Sequence, residues 1–289
     1  MSSEENTLLK KKIVMLGAEL KIKDSEIMTY RQELLKISQR LDSLMSQIGH
    51  DMHLLSQAQK TLVPTEIPSI PGFEVSRKFL YGSKSGGDYF DIFEHEDKLR
   101  FGLLVASSSG YAMSALFLSL IMKVSHILEA RKGNTPDKIL QQLAEEVKKI
   151  AAPQDTTSAF YGVIDRRDFT LKFCSAGKMD AYYFTAPKPI QILKSTNSAF
   201  SQQFSEKLTL ASIELEPKSR ICIMTEGLSE VLGTASLVKI ITDNAKNAVH
   251  DLRNELLFQA QIKSNLSEPL RDQTVVVVEV KNRMIKLAK

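Results

Sequence analysis

The stretch SGGDYFDIF, residues 85–93, joins a pair of glycines to a segment that alternates polar and apolar side chains. This alternation predicts that a strand begins near Asp88. Gly86 and Gly87 allow the backbone to bend at this point and to approach another group closely. The carboxylates of Asp88 and Asp91 therefore lie at the start of a strand, where a binding site can use them.

Two further acids occupy comparable positions. Glu226 ends an apolar strand in MTEG, residues 224–227, and Asp272 begins the last strand in RDQTVVVV, residues 271–278. Carboxylates that converge at strand ends are common oxygen ligands of hard divalent cations. The simpler alternative is that these are ordinary acidic residues of turns. That alternative is favoured for each acid considered alone, but less so for the three acids together.

Residues 73–289 alternate strands with helical blocks, which favours an α+β domain whose helices cover sheets. Helices are predicted at 111–133, 135–151 (with Thr135 as cap and Pro136 at the first position) and 235–261. Strands are predicted at 73–80, 89–94, 98–106, 157–165, 169–176, 181–184, 219–227 and 273–281.

The N-terminal segment repeats an apolar residue every seven positions, and residues 7–60 contain no proline. A single helix on a globular core would drift out of so strict a repeat, so the pattern favours a two-stranded coiled coil over a long helix packed on its own domain. Strand number and orientation stay open. A second set of mostly apolar residues lies three positions beyond the first, and Lys23 and Asp51 interrupt it. They either allow the register of the coiled coil to switch or select the partner helix. The seam consists of Ile13, Leu20, Ile27, Leu34, Leu41, Ile48 and Leu55.

Three prolines and a glycine in VPTEIPSIPGF, residues 63–73, end this helix. The sequence therefore predicts three parts: a coiled-coil helix over 1–60, a proline-rich linker over 61–72, and a globular domain over 73–289.

Composition excludes some classes of function. The chain has 38 basic and 34 acidic residues, and no dense basic run is interleaved with aromatics, which argues against nucleic-acid binding. No signal-peptide core and no apolar run of about 18 residues is present, so we expect a soluble protein without a membrane span. Cys174 and Cys222 lie in apolar runs, and buried, reduced thiols favour a cytoplasmic setting.

Six short motifs then carry a resemblance that extends from about residue 55 to residue 281. They are LLSQAQKTLVP (54–64), GGDYFD (86–91), SSSGYAMSAL (107–116), AGK (176–178), TEGLSE (225–230) and RDQT (271–274). In this order, they resemble the motifs of PPM (protein phosphatase 2C-like) serine/threonine phosphatases of the bacterial stage II sporulation protein E and stress-regulator type. The resemblance implies a β-sandwich flanked by helices, with two Mg²⁺ or Mn²⁺ ions in a cleft, where a metal-bridging water attacks the phosphoryl group.

The chain departs from this family at the metal site. The resemblance places the four family ligands, all aspartates, on Asp88, Ser107, Glu226 and Arg271, so the formal charge of the four positions falls from −4 to −1. The side chains at these four positions would carry too little negative charge to balance two divalent ions. Arg271 beside Asp88 and Glu226 would instead neutralise the carboxylates itself. We therefore expect that this site is stable without two metal ions. It would hold no metal ion, or one weakly bound Mg²⁺ or Mn²⁺.

Alternatives remain open for the ligand set. Arg271 could point to solvent while Asp272 takes its role, which needs a bulge or a register shift because neighbouring strand residues face opposite ways. A single metal could be held by Asp88, Asp91 or Glu226 together with waters.

Other residues near these motifs are secondary candidates. Lys178, where the family has histidine, is a surface lysine or a phosphate contact. Ser107–Ser109 are favoured as a hydroxyl-rich turn, with Ser108 or Ser109 capping a helix, over a nucleophile cluster. Gly87 would allow the backbone to approach a bound group closely.

Three functions follow as hypotheses. The first is a regulatory pseudophosphatase, inactive or weakly active, that forms a coiled-coil homodimer. Its signalling partner would be a phosphorylated protein of the anti-sigma-antagonist class, or an anti-sigma-class protein. The second is an active Mn²⁺- or Mg²⁺-dependent serine/threonine phosphatase with an atypical ligand set and two metal ions. The third is a structural coiled-coil protein whose globular end is an anchor.

Overall fold

The structure is a computed structural model, and it describes residues 3–62, 67–83, 87–109, 133–194 and 197–283. The chain divides into two compact units, residues 1–56 and 57–289. Helix α1 (Ser3–Leu62) begins in the first unit. Its described side chains between residues 6 and 50 are all exposed, including seam residues such as Ile13, Leu20 and Leu34, which are each more than 60% exposed.

The second unit contains two five-stranded antiparallel sheets. Their order is β1-β10-β9-β6-β7 in one sheet and β2-β3-β4-β5-β8 in the other. The strands are β1 (Phe73–Leu80), β2 (Asp88–Glu94), β3 (Arg100–Ser108), β4 (Thr157–Asp165), β5 (Thr170–Ala176), β6 (Asp180–Phe184), β7 (Gln191–Ile192), β8 (Ala211–Glu214), β9 (Arg220–Met224) and β10 (Gln273–Val280).

Helices cover the outer faces of both sheets. Helix α2 (Pro136–Ile150) packs on the second sheet through residues such as Leu140. Helices α3 (Glu226–Leu232), α4 (Thr234–Asp243) and α5 (Val249–Ser264) share a cluster with the outer face of the first sheet. The fold class predicted from the sequence, a helix-flanked α+β sandwich preceded by a long helix, is therefore confirmed.

Strand β10 explains how the layers are held together. Its valines alternate between two cores: Val276 and Val278 point between the sheets, whereas Val275 and Val277 point toward the helices. All eight residues of β10 are buried, as expected for a strand with neighbours on both sides.

Several predicted boundaries are wrong, and these errors affect the site. Strand β3 continues to Ser108, so Ser107 and Ser108 lie on a strand rather than in a turn. Strand β9 ends at Met224, and Glu226 opens α3 instead of ending the strand. The block 235–261 is two helices separated at residues 244–248. Strands β7 and β8 were not predicted, because both are short. The helix predicted at 111–133 falls, except for Gly133, outside the described residues, as does Gly86.

No helix in the described part of the chain is long and apolar enough to cross a membrane.

Candidate functional site

A cleft at one end of the sandwich brings together Asp88, Ser107, Glu226 and Arg271. Asp88 is the first residue of β2, and it pairs directly with Ser107 across the β2–β3 ladder. Glu226 and Arg271 arrive from other segments, at the start of α3 and just before β10. The same cleft is also lined by Gly87, Ser108 and Asp272.

Asp88 is buried and surrounded by hydroxyl groups. Asp88 is only 2% exposed. Its Oδ2 accepts hydrogen bonds from the hydroxyls of Thr225 at 2.6 Å and Thr274 at 2.8 Å. The hydroxyl of Ser107 also bonds this carboxyl group. Burial and the nearby charge of Asp272 raise the pKa of Asp88 to about 7, against the opposing effect of the three hydroxyls.

Asp272 turns inward while its neighbour Arg271 turns outward. Asp272 is 3% exposed, and its Oδ1 accepts a hydrogen bond from the main-chain amide of Gly82 at 2.8 Å. Its Oδ2 accepts from the amide of Asp88 at 3.3 Å. The side chain of Arg271 is 53% exposed. The second acid beside Asp88 is thus Asp272, whereas Arg271 stands at the mouth of the cleft.

Four charged side chains form an ion-pair cluster at this mouth, which we call the ionic latch. Glu226 Oε1 lies 2.7 Å from Lys178 Nζ, and Glu226 Oε2 lies 3.3 Å from Arg271 Nη1. Arg271 Nη1 is also 3.1 Å from Glu230 Oε2. The latch joins the turn after β5, the start of α3 and the entry to β10.

The sequence therefore predicted the latch only in part. Arg271 does contact Glu226, but its ion pairs within the described residues are with Glu226 and Glu230 rather than with Asp88. Lys178 has an 80% exposed side chain, as expected for a surface lysine, yet it also pairs with Glu226.

Glycines allow these segments to meet. A Cβ atom on Gly227 would lie 2.1 Å from the main-chain oxygen of Asp272, so α3 packs against the entry to β10 without room for a side chain. Gly177, just before Lys178, has a φ of +73°, and its missing Cβ would lie 2.4 Å from Ser158 Oγ. Both positions depend on glycine for close approach, and Gly177 also for its backbone conformation.

Of the five secondary candidates, Gly87, Ser108 and Asp272 line the cleft and Lys178 lies at its mouth, whereas Asp91 lies outside it. Asp91 is absent from the cleft lining, and its Oδ2 accepts a hydrogen bond from the hydroxyl of Tyr89 at 3.1 Å. Ser108 Oγ is 3.0 Å from Thr157 Oγ1. Ser109 Oγ is 2.9 Å from Thr156 Oγ1, and any helix that it could cap lies outside the described residues.

Sequence reasoning missed the threonines that hold Asp88. Thr225 and Thr274 stood in the quoted TEGLSE and RDQT motifs but were not selected as site residues. The available signal was that each threonine lies within two residues of an acid, close to the boundary of a strand. Their burial, 0% exposed for both, makes them part of the site's interior.

The donor set does not fit a two-metal centre. Glu226 is neutralised by two cations, and the buried Asp88 already accepts three hydroxyl hydrogen bonds. Within the described residues, no group of three His, Cys, Asp or Glu side chains is arranged to hold a metal ion. Divalent ions of this kind require several oxygen ligands converging with regular geometry. The cleft is therefore a polar, ion-paired site rather than a carboxylate cage.

Solved structures share this fold at low sequence identity. The SiaA-PP2C domain of Pseudomonas aeruginosa superimposes with a TM-score of 0.67 at 16% identity, over 81% of this chain and 97% of that domain. The RsbU and RsbW domains of Rv1364c from Mycobacterium tuberculosis give 0.63 at 18%, over 75% and 62%. RsbX in complex with magnesium gives 0.59 at 13%, over 74% and 98%.

Sequence comparisons extend the same relationship. Protein IcfG of Synechocystis sp. is 24% identical over 237 residues, which cover 70% of this chain and 37% of that protein, so this chain spans little more than a third of its curated relative. Residues 97–281 match the family model of stage II sporulation protein E (SpoIIE). This match covers most of the sandwich and the cleft, and the chain belongs to the SpoIIE family.

Proposed function

We propose that this chain is a pseudophosphatase, a regulatory protein that keeps the phosphatase fold but does not use a two-metal centre. The observation that carries the proposal is the ionic latch, in which Lys178 and Arg271 flank Glu226. Cations placed in this way do part of the neutralising work that metal ions would otherwise do. The uncharged Ser107 opposite Asp88 supports the same conclusion.

The first test measures metal and turnover on the full chain. After dialysis we expect less than one Mn²⁺ or Mg²⁺ per chain and no metal-dependent hydrolysis of p-nitrophenyl phosphate. Two bound ions together with Mn²⁺-dependent turnover would contradict the proposal and establish an active phosphatase with an atypical ligand set.

The second test rebuilds the family ligands. The combined substitutions Ser107→Asp, Glu226→Asp and Arg271→Asp should restore Mn²⁺ binding, because they add two carboxylates, shorten a third and so place aspartates at all four family ligand positions in the cleft. Adding Asp88→Asn to this triple variant is the matched control and should abolish that binding. A triple variant that stays metal-free would show that the residue mapping is wrong.

One observation favours the alternative of an active enzyme. Asp272 is buried next to Asp88, so two carboxyl groups already occupy the floor of the cleft. A single Mg²⁺ or Mn²⁺ held by this pair and several waters is the form that such activity would take. Calorimetric titration and a phosphatase assay together separate the two functions: one saturable ion with ion-dependent turnover, both lost in Asp272→Asn, supports the enzyme.

We further propose that α1 makes the chain a parallel or antiparallel coiled-coil homodimer. The Ile and Leu side chains that repeat every seven residues from Ile13 to Ile48 are exposed in the single chain, which supports this assignment. Sedimentation should give about twice the 32.4 kDa chain mass. Leu34→Lys in the seam should yield monomer, whereas Leu35→Lys, a neighbour of equal exposure outside the seam, should not. Monomeric wild-type protein would contradict the homodimer.

The proposed partner is a cytoplasmic signalling protein of the anti-sigma-antagonist or anti-sigma class. The presence of RsbU and RsbW domains together in the Mycobacterium tuberculosis relative supports this class. A pseudophosphatase should bind a serine-phosphorylated antagonist and leave its phosphate in place. Phosphate release on mixing, followed by mass spectrometry of the antagonist, would argue for the enzyme instead.

A further inference from the structure

Arg271 stands at the mouth of the cleft with one edge of its guanidinium open. Its ion pairs with Glu226 and Glu230 are both made through Nη1, and its side chain is 53% exposed. In the part of the chain that the structure describes, Nε and Nη2 of Arg271 have no hydrogen-bond or ion-pair partner. This Nε–Nη2 edge is the fork with which an arginine binds two oxygens of one anionic group.

A second cation converges on the carboxylate that Arg271 holds. Lys178 Nζ lies 2.7 Å from Glu226 Oε1, and Arg271 Nη1 lies 3.3 Å from Glu226 Oε2. Both cationic side chains are more than half exposed, whereas that of Glu226 is 23% exposed. The Glu226 carboxylate therefore occupies the position between the two cations that an incoming anionic ligand would need.

The cleft behind the latch offers a further donor. Ser158 lines the cleft, and its Oγ accepts a hydrogen bond from the main-chain amide of Lys178 at 3.1 Å. The hydroxyl proton of Ser158 has no acceptor among the described residues, so it can be donated to a ligand. The two acids on the floor are engaged elsewhere, because Asp88 accepts from hydroxyls and Asp272 accepts from main-chain amides.

We infer that Lys178 and Arg271 bind the phosphoryl group of a phosphomonoester, and that Glu226 is an autoinhibitory competitor for the same two cations. This inference rests on the proposed function, since the phosphomonoester would be the phosphoserine of the signalling partner. Such a group carries about two negative charges at neutral pH and three acceptor oxygens, so it can displace a single carboxylate. The ionic latch is then closed in the free protein and opens when the phosphorylated partner binds.

A groove beside the latch has room for the polypeptide that carries the phosphoryl group. It shares Lys178 and Glu226 with the latch, and its other lining residues include the buried Met179 and Leu193 and the half-buried Ile192. Its rim carries charges of both signs. An apolar floor with a polar rim suits the residues that flank a phosphoserine, whereas a free phosphate ion makes no use of it.

Peptide binding to the full chain tests this inference. The probe is a fluorescein-labelled peptide that has one phosphoserine with two leucines on either side, and EDTA is present so that no metal ion contributes. Glu226→Gln keeps the size of the side chain but removes the competing charge, so it should bind the peptide about tenfold more tightly than the wild-type chain. The unphosphorylated peptide should bind to neither. Inorganic phosphate should displace the peptide only at concentrations at least about tenfold higher, and displacement at equal concentration would overturn phosphoserine as the ligand.

Two further variants serve as matched controls. Glu230→Gln removes the same charge beside Arg271 without releasing Lys178, so it should change the affinity by less than Glu226→Gln does. Arg271→Lys, added to Glu226→Gln, keeps the charge but removes the fork and should lose most of the gain. All three side chains are partly exposed, so the variants should fold, and circular dichroism checks this.

Three results would overturn the inference: no gain in Glu226→Gln, an equal gain in Glu230→Gln, or full affinity after Arg271→Lys is added. Failure of the proposed function is seen separately, as Mn²⁺-dependent release of phosphate from the same peptide when EDTA is left out.

Discussion

The main-chain amide of Asp88 donates a hydrogen bond to the carboxylate of Asp272 at 3.3 Å, although the two residues are 184 positions apart. The contact joins the first residue of β2 to the residue that precedes β10, and so it links the two sheets at the cleft. Both residues are almost fully buried. Two neighbouring carboxyl groups in such a place resist being ionised together.

This relationship predicts an unusual pH dependence of stability. The pKa of Asp88 is raised to about 7 in the folded chain, above its unfolded value, so folding favours the protonated group. Its stabilising contribution is present below about pH 4 and is lost as the pH rises to about 7. Asp88→Asn should remove this loss, which amounts to at most a few kcal/mol. Urea unfolding at several pH values measures it, and an unchanged slope in Asp88→Asn would contradict the assignment.

The ionic latch should contribute modestly and should depend on salt. Glu226→Ala removes both ion pairs of that carboxylate, but the participating cations are mostly exposed, so we expect the urea midpoint to fall by no more than a few tenths molar. The difference should vanish near 1 M salt, where the Debye length is about 3 Å. Glu230→Ala is the control that removes only the outer pair. A large, salt-independent effect would mean that Glu226 acts through packing.

The buried ion pair between Arg220 and Glu279 should matter far more. The two side chains are 8% and 7% exposed and lie 2.6 Å apart, and Arg220 also donates to the main-chain oxygens of Asn244 and Asn247. Arg220→Ala leaves the buried Glu279 carboxylate with only the half-exposed Lys281, 2.8 Å away, as its cation, and should cost about 3 kcal/mol.

Two comparisons test the Arg220 prediction in chemical denaturation. Arg220→Met combined with Glu279→Met should cost less than the two single substitutions added together. Arg167→Ala, which breaks an exposed pair with Asp165, should change little. Equal effects of Arg220→Ala and Arg167→Ala would refute the role of burial.

Gly227 should tolerate no side chain. Gly227→Ala places a Cβ 2.1 Å from the main-chain oxygen of Asp272 and must push α3 away from the entry to β10. We expect a loss of about 1–3 kcal/mol in thermal or urea unfolding. Gly49→Ala is the matched helical control, since nothing lies within 4 Å of its added Cβ, and it should gain about 0.5–1 kcal/mol for α1. Similar outcomes for both would contradict the close contact.

Much of the fold was readable from local pattern. The run of valines in β10 and the proline at the start of α2 predicted their elements because burial on both faces and helix entry have direct sequence signals. The two-residue β7 and the exposed β8 carry too little apolar pattern to be seen. Glu226 was placed on the wrong element, since an apolar strand that runs into a helix has no visible break.

The site was harder to predict because its contacts are long-range. Motif order predicted that Asp88, Ser107, Glu226 and Arg271 lie around one cleft, and all four residues line it. It could not reveal which of the neighbours Arg271 and Asp272 turns inward, because that depends on the backbone just before β10. Nor could it pair Lys178 with Glu226, since the two are joined only through the meeting of separate loops.

The direct pairing of Asp88 with Ser107 has a consequence for how this cleft could change over time. An aspartate reintroduced at position 107 alone would face another carboxyl group across the ladder, and like charges placed opposite one another destabilise a sheet. We therefore expect Ser107→Asp alone to lower the stability of the second sheet, unless a bound cation or a further substitution offsets the repulsion.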